Sequence, residues 1–267
     1  LTTTTDIENF PGFENGISGQ QLVDTMRAQA LRLGAEIRNG AITSADLSER
    51  PFRITVDGDK EIEAETLIIA TGATAKYLGL PSEIKYSGLG VSACATCDGF
   101  FYRKKTVAVV GGGDTACEEA TYLAGICKKV YMIVRRDVLR ASEAMQERVR
   151  NTENIEVLWN CNTQEVLGDE YGVTGARLVR KDGEVFDIAV DGFFLAIGHH
   201  PNSDVFREWI EVDKEGYIVT DGKTSKTNVP GVFAAGDVQD PLYRQAITAA
   251  ASGCRAALDA EKFLKML

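Results

Sequence analysis

Long apolar runs are missing from the sequence. No stretch approaches the roughly eighteen apolar residues that a membrane-spanning helix needs, and no signal peptide opens the chain. Basic residues are also in the minority, with 29 lysines and arginines against 39 acidic residues and a formal net charge of −10. Nucleic acid needs a basic face. We therefore expect a cytoplasmic protein whose partners include neither nucleic acid nor a membrane.

Histidine is scarce and most cysteines are isolated. The two histidines are adjacent, His199 and His200, and adjacent side chains rarely share a metal ion, so we expect no metal site. Six cysteines at this length do not form a disulfide scaffold. Four of them lie singly among apolar or small residues, where core filling is the expected role: Cys117, Cys127, Cys161 and Cys254. The other two, Cys94 and Cys97, have the spacing of a small disulfide ring that can open and close.

Two passages of the chain follow the same order of strand, turn, strand, apolar strand and glycine. The first ends at Gly72 and the second at Gly198. This repeat predicts an α/β protein with two related, Rossmann-like dinucleotide-binding units. In the second unit the glycine run begins at Gly111, well before the closing Gly198. The same number of residues counted back from Gly72 ends at a position before residue 1. We expect the first unit's own phosphate loop to precede Leu1.

The glycine run lies in the setting of a dinucleotide-binding motif. An apolar strand, Thr106–Val110, leads into a helix and then a second strand, Val130–Val134. The glycines permit a tight turn and close backbone approach, so that the helix N-terminus can hold a pyrophosphate. The cofactor-binding residues predicted here are Gly111, Gly113, Asp114, Thr115 and Ala116.

The end of the second strand indicates which dinucleotide binds. An NAD site places an acidic residue there to accept from the ribose 2′-hydroxyl. This chain has Arg135 and Arg136 instead, with Arg140 shortly after. Guanidinium groups suit a 2′-phosphate, which favours NADPH, although a solvated basic patch is the alternative interpretation.

Two further apolar strands end in residues typical of a ligand edge. Leu67–Ala70 is followed by Thr71 and Gly72, and Val232–Ala235 by Gly236 and Asp237. A backbone can approach a ligand at such glycines, and a carboxylate can accept a ribityl hydroxyl, but an ordinary strand end explains Gly236–Asp237 equally well. We expect a strand at Tyr217–Thr220 and a helix over Tyr243–Leu264.

With these motifs in order, the sequence resembles the low-molecular-weight thioredoxin reductases over nearly its whole length. The segments that carry the resemblance are Leu1–Phe10, Ile68–Ala73, Val91–Tyr102, Gly111–Ala120, Arg135–Ala141, Ala196–Asn202, Gly231–Val238 and Tyr243–Ala249. The resemblance implies an NADPH-dependent disulfide reductase with FAD, a homodimer, and thioredoxin as the partner. It implies an FAD domain made of residues 1–76 and 199–267, with an NADPH domain, residues 77–198, inserted into it.

The resemblance also implies residue roles. Cys97 would lie against the flavin, Cys94 would attack the thioredoxin disulfide, and Asp98 would handle the proton. Further FAD contacts implied by the resemblance are Thr5, Asn9, Asp237, Arg244, Gln245 and Ala246.

Two departures from the family pattern leave alternatives open. Val134 stands where the family usually has a histidine before the two arginines, and the family's first glycine loop has no counterpart in the sequence. One alternative is a reductase component that serves a peroxiredoxin system. The other is a fragment that binds NADPH without redox activity.

Overall fold

Residues 6–267 are described in the computed structural model, so the predicted FAD contact Thr5 lies outside the described residues. Within them the chain divides into two units. The first comprises residues 10–74 and 199–267, and the second residues 6–9 and 75–198.

Most strands are short and follow one another closely along the chain. They are β1 (Asp6–Ile7), β2 (Ile17–Ser18), β3 (Ile42–Asp46), β4 (Phe52–Val56), β5 (Lys60–Ala64), β6 (Leu67–Ile69), β7 (Ala73–Ala75), β8 (Val91–Ser92), β9 (Thr106–Val110), β10 (Lys129–Val134), β11 (Ile155–Trp159), β12 (Cys161–Gly168), β13 (Val173–Arg180), β14 (Val185–Ala189), β15 (Gly192–Leu195), β16 (His199–Pro201) and β17 (Val232–Ala234).

Six α-helices separate groups of these strands within residues 6–267. They are α1 (Gly19–Arg32), α2 (Pro81–Lys85), α3 (Ala95–Asp98), α4 (Asp114–Ala124), α5 (Glu143–Arg150) and α6 (Ala246–Leu264). Short 3₁₀ turns occupy Gly99–Tyr102, Asp204–Phe206 and Gly236–Val238. None of the described helices combines the length and the apolar character that crossing a bilayer requires.

The second unit is a three-layer α/β structure. Its five-stranded parallel sheet has the order β11-β10-β9-β15-β8. Alternate side chains of β9 enter two different cores: Val107 and Val109 pack with α4, while Ala108 and Val110 pack with the antiparallel sheet β12-β13-β14. Both faces of β9 are covered, which accounts for the apolar side chains from Val107 to Val110. The predicted fold class is confirmed in this unit.

The first unit carries the other copy of the repeat. Strands β3, β4 and β5 form an antiparallel sheet, and β6 pairs in parallel with β17. Helix α6 packs Ala256 and Ala260 against Phe233 and Ala235 at the end of β17. The order of antiparallel strands followed by an apolar parallel strand and a glycine thus recurs in both units, although in β6 Ile69 is buried and Ile68 is exposed.

The described structure corrects three expectations. Tyr217–Thr220 is not a strand, and only one isolated bridge, between Val212 and Ile218, forms there. Helix α6 begins at Ala246, three residues later than predicted, because Arg244 lies in the left-handed region at φ 47° and Gln245 is extended.

The third correction concerns the isolated cysteines. Cys254 is exposed, whereas Cys117, Cys127 and Cys161 are buried as expected. Burial, with smaller contributions from nearby carboxylates, raises the pKa of Cys117 and of Cys127 to about 11. These two thiols are therefore protonated at neutral pH.

Candidate active site and cofactor clefts

The predicted Cys94–Cys97 disulfide is present in the second unit. The two sulfurs are bonded, and the Cα atoms lie 5.3 Å apart. Strand β8 ends at Ser92, and Cys94 caps the N-terminus of α3, whose first residue, Ala95, is fully buried. Both cysteines are half-buried, so the disulfide is anchored by packing yet still accessible.

Asp98 ends the same short helix, and its surroundings favour a neutral carboxyl group. Burial raises the pKa of Asp98, and a hydrogen bond with the Ser92 side chain partly opposes this. The Ser92 hydroxyl oxygen also accepts from the Cys94 amide at 3.0 Å. Ser92 therefore contacts both ends of the C-x-x-C-D segment. An acid with a raised pKa can donate a proton to a thiolate that is released when a disulfide opens.

The raised pKa of Asp98 predicts a pH-dependent stability. Because the folded protein favours the protonated form, the contribution of Asp98 is complete below the ordinary carboxyl pKa of about 4 and is lost as pH rises through the raised value. We expect Asp98→Asn, which cannot ionise, to remove this loss. Urea unfolding between about pH 4 and pH 7 should show wild type losing stability relative to the variant.

Asp187 provides a matched control, because its pKa is shifted in the opposite direction to that of Asp98. Its hydrogen bond with Arg177 lowers the pKa of Asp187, so its contribution is present above the ordinary pKa and lost as pH falls. A difference between wild type and Asp98→Asn that stays constant with pH would contradict the assignment of a raised pKa to Asp98.

A cleft of about 560 Å³ lies over the carboxyl ends of β9, β10 and β15. At its floor Gly111 makes a close approach that only glycine permits: a Cβ there would lie 2.4 Å from the Ala196 carbonyl oxygen, at φ 146°. The N-terminus of α4, capped by Gly113, opens into the same cleft. Unpaired amides at a helix N-terminus bind phosphate, so this floor fits the pyrophosphate of a dinucleotide.

The β10 end of the cleft is basic. Arg135, Arg136 and Arg140 line it and are exposed, and none of the three forms an ion pair with an acid among residues 7–267. The Arg140 amide donates to the Gly112 carbonyl oxygen at 2.6 Å, which ties the arginine segment to the glycine loop. Exposed, unpaired guanidinium groups beside a phosphate-binding loop fit the 2′-phosphate of NADPH.

Asp114 supports the cleft. Its carboxylate accepts from the Ser142 amide at 2.9 Å and from the Ser142 hydroxyl at 2.8 Å. These hydrogen bonds hold the pKa of Asp114 below its usual range. The acid at the start of α4 is thus engaged by the protein and does not compete with the arginines. Thr115 also lines the cleft, whereas Ala116 is buried beneath it.

The glycine loop offers a paired test. Gly111→Ala is expected to destabilise the fold by about 1–3 kcal/mol, because its methyl group would collide with the backbone of Ala196. Gly113→Ala is the control: it has no neighbour within 4 Å of the added methyl group and an ordinary φ of −96°. Urea unfolding of both variants measures the difference. Equal free energies of unfolding for the two variants would show that the close contact with Ala196 does not require glycine at position 111.

In the first unit four predicted cofactor residues lie at one edge of a parallel strand pair. Strands β6 and β17 run in register from Leu67 opposite Val232 to Ile69 opposite Ala234, so Thr71–Gly72 and Gly236–Asp237 follow them at the same edge. Gly236 has φ 73° and donates its amide to the Ser252 hydroxyl oxygen of α6 at 2.7 Å. The ends of both strands therefore meet the flank of α6.

Asp237 is the acid of that edge. It is half-buried, and burial, reinforced by Asp240, raises its pKa. Its carboxylate accepts no hydrogen bond from residues 7–267. A half-buried carboxyl group without a donor in this part of the chain suits a ligand hydroxyl, so this edge fits the FAD implied by the resemblance.

The remaining predicted FAD residues have different settings. Arg244 and Gln245 precede α6, and Ala246 is its first residue. The Gln245 amide donates to the Thr248 hydroxyl oxygen at 3.2 Å, which stabilises the helix start. Asn9 is an exposed residue that follows β1.

Several residues that line the cleft of the second unit were not predicted from the sequence. Leu78 comes from the loop before α2, and three residues come from the start of β12: Cys161, Asn162 and Thr163. No local motif marks these positions. The Ala196–Gly198 segment, which also lines the cleft, had a signal because it is the glycine end of an apolar strand.

Comparison with known proteins assigns the class of this fold and site. The family model described as "Pyridine nucleotide-disulphide oxidoreductase" matches residues 3–253, and the chain belongs to that family. It is 50% identical to a thioredoxin reductase of Debaryomyces hansenii over 99% of this chain and 84% of the relative. A solved thioredoxin reductase of Giardia duodenalis is 46% identical with a TM-score of 0.94, over 99% of this chain and 86% of that one.

The predicted resemblance to thioredoxin reductases is thereby confirmed. A relative with a different name, a glucosaminate ammonia-lyase of Pseudomonas fluorescens, is also 50% identical, over 99% of this chain and 84% of the relative. The chain is a flavoprotein disulfide reductase whose cofactors are FAD and NADPH. When bound, FAD takes a hydride equivalent from NADPH and supplies an electron pair to a disulfide.

Proposed function

We propose that this chain reduces thioredoxin at the expense of NADPH. The observation that carries the proposal is the half-buried Cys94–Cys97 disulfide beside Asp98, an acid whose pKa burial raises. In the balanced reaction NADPH, a proton and the thioredoxin disulfide give NADP⁺ and the thioredoxin dithiol. The names of the relatives described above support thioredoxin as the electron acceptor.

The residue roles in this proposal are those that the resemblance implies. Cys94 attacks the thioredoxin disulfide, Cys97 resolves the mixed disulfide by re-forming the bond with Cys94, and Asp98 supplies or takes the proton. The residues that would hold NADPH are Gly111, Gly113, Asp114, Thr115, Arg135, Arg136 and Arg140, which line the cleft, and Ala116, which is buried beneath it. We assign FAD to Asn9, Thr71, Gly72, Gly236, Asp237, Arg244, Gln245 and Ala246, together with Thr5.

The domain assignment is part of the same proposal. Residues 1–76 and 199–267 form the FAD domain and residues 77–198 the NADPH domain. The support is chemical: the unpaired arginines and the glycine loop lie in the second unit, and the Asp237 edge lies in the first. We also propose a cytoplasmic homodimer, as the resemblance implies.

A reconstitution assay tests the proposed activity. The purified chain is mixed with FAD, NADPH and oxidised thioredoxin, and thioredoxin thiols are counted with a chromogenic disulfide. Stoichiometric thiol formation with NADPH consumption supports the proposal. A yellow protein whose flavin is reduced by NADPH while thioredoxin stays oxidised contradicts thioredoxin as the acceptor.

The same preparation separates the alternatives. Thiol formation only on a peroxiredoxin-type disulfide protein would favour the peroxiredoxin-linked reductase. A colourless protein that binds NADPH but no flavin would be the redox-inactive fragment. Ammonia release from glucosaminate tests the activity named for the Pseudomonas fluorescens relative. The redox disulfide argues against that activity, since an elimination of ammonia requires no dithiol.

A further inference from the structure

One acidic side chain in the second unit is buried and forms no ion pair with a basic residue among residues 7–267. Glu83 is 1% exposed, and it is the only acid among residues 7–267 that is fully buried. Its carboxylate accepts three backbone amides in succession: Leu78 at 3.1 Å, Gly79 at 2.9 Å and Leu80 at 3.0 Å. Three such donors replace the water that a buried carboxylate loses.

The local sequence creates this arrangement. Leu80 caps the N-terminus of α2, Pro81 occupies the first turn, and Glu83 is the third helical residue, from which a side chain can reach back to the capping amide. Gly79 has φ 85°, a conformation that turns consecutive amides toward one side. The carboxylate therefore fixes the backbone of residues 78–80.

The fixed loop contributes to the cofactor cleft. Leu78 lines the cleft, although the residue is 38% exposed. Two residues earlier the Lys76 amide donates to the Gly198 carbonyl oxygen at 2.9 Å, which places this segment beside the end of β15. In the sheet order β11-β10-β9-β15-β8, strands β10 and β15 lie on opposite sides of β9. The arginines follow β10, and Leu78 lies beside the end of β15. The two ends of the cleft are therefore on opposite sides of the glycine loop that follows β9.

We propose that Glu83 is a positioning residue for the nicotinamide half of the cofactor. Through the three amides it holds Leu78 as an apolar wall at the β15 end of the cleft, away from the arginines that take the 2′-phosphate end. This inference rests on the proposed assignment of NADPH to the cleft. This role differs from a general stabilisation of the fold, because it affects binding of the nicotinamide half of NADPH and not of the half that carries the 2′-phosphate.

Binding of two ligands to the FAD-loaded protein tests the inference. NADP⁺ occupies both ends of the cleft, whereas adenosine 2′,5′-bisphosphate lacks the nicotinamide half. We expect Glu83→Gln, which loses an acceptor and turns an amide N–H toward backbone donors, to weaken NADP⁺ about tenfold. The affinity for adenosine 2′,5′-bisphosphate should change less than about twofold. Titration calorimetry measures both dissociation constants without turnover.

Two further variants sharpen the test. Leu78→Ala should likewise weaken NADP⁺ much more than adenosine 2′,5′-bisphosphate. Since Glu83 acts through Leu78, the double variant should bind NADP⁺ no more weakly than whichever single variant binds it more weakly. Glu147→Gln, at an exposed position on α5, is the matched control and should change neither affinity. If Glu83→Gln does not fold, Glu83→Asp keeps the charge with a shorter reach, and we expect the same split from it.

Several outcomes would overturn the inference. They are an equal loss of both ligands, no loss of NADP⁺, or additive effects of Glu83→Gln and Leu78→Ala. Wild-type protein that binds neither ligand would instead refute the assignment of NADPH to the cleft, and the inference with it. Wild-type protein that binds both while the variants show no split would refute the role of Glu83 alone.

Discussion

Cys94→Ser is expected to abolish thioredoxin reduction while leaving the reduction of bound flavin by NADPH intact. The serine hydroxyl cannot form a mixed disulfide, so electrons have no path to the acceptor, and the steady-state rate should fall by more than about a thousandfold. The NADPH cleft and the Asp237 edge contain neither cysteine, so they should still bind their cofactors. Anaerobic stopped-flow measurement of flavin bleaching and a thioredoxin thiol assay report the two half-reactions separately.

Cys254→Ser is the matched control, because Cys254 is an exposed single cysteine on α6. It should leave both half-reactions unchanged. Loss of flavin reduction in Cys94→Ser would refute the proposed division of roles, and so would retention of thioredoxin reduction.

The second large effect concerns the basic end of the cleft. Replacing Arg135 and Arg136 together with alanine is expected to weaken NADPH binding about a hundredfold or more, since each charge-assisted hydrogen bond contributes about 1.5–3 kcal/mol. NADH lacks the 2′-phosphate, so its affinity should change only a few-fold. Titration of each nucleotide against the protein, at one fixed ionic strength, gives the ratio of NADPH affinity to NADH affinity directly.

Arg148→Ala controls for the loss of positive charge, because Arg148 is exposed on α5 and does not line the cleft. It should leave the ratio of NADPH to NADH affinity unchanged. If the double variant loses NADH and NADPH equally, the arginines form a solvated basic patch with no preference for the phosphate.

The sequence predicted the parts of this protein whose structure depends on local pattern. Strand β9, helix α4 and strand β10 were all expected from apolar runs on either side of glycines, and each strand lies within a residue of its predicted bounds. The disulfide followed from the spacing of Cys94 and Cys97. In these cases the residues that determine the structure are neighbours along the chain.

The predictions that were wrong concern the start of α6, which depends on a hydrogen-bonded turn, and the burial of Cys254, which depends on the face of the helix that it occupies. The predicted start of α6 was wrong because the Asp240 carboxylate accepts the amides of Leu242, Tyr243 and Arg244, which holds them in a turn. Cys254 is exposed because it lies about 200° around the helix from the buried Ala256. A run rich in small residues does not indicate which face of the helix is buried.

The site was predicted less completely than the fold. The glycine loop and the arginines have motifs, but Leu78 and Ser92 reach their sites through contacts that no short pattern encodes. Glu83 was also missed, because a glutamate near a helix start is usually solvated.

The buried thiols of Cys117 and Cys127 have a consequence for a protein that exchanges disulfides. With a pKa of about 11, each is a thiolate in only a tiny fraction of molecules near neutrality, and burial keeps oxidised partners away. These two thiols are thereby kept out of exchange with the Cys94–Cys97 disulfide, and cross-links between either of them and that pair are suppressed. Burial therefore protects Cys117 and Cys127 from oxidation during turnover, whereas Cys254 lies on the exposed face of α6.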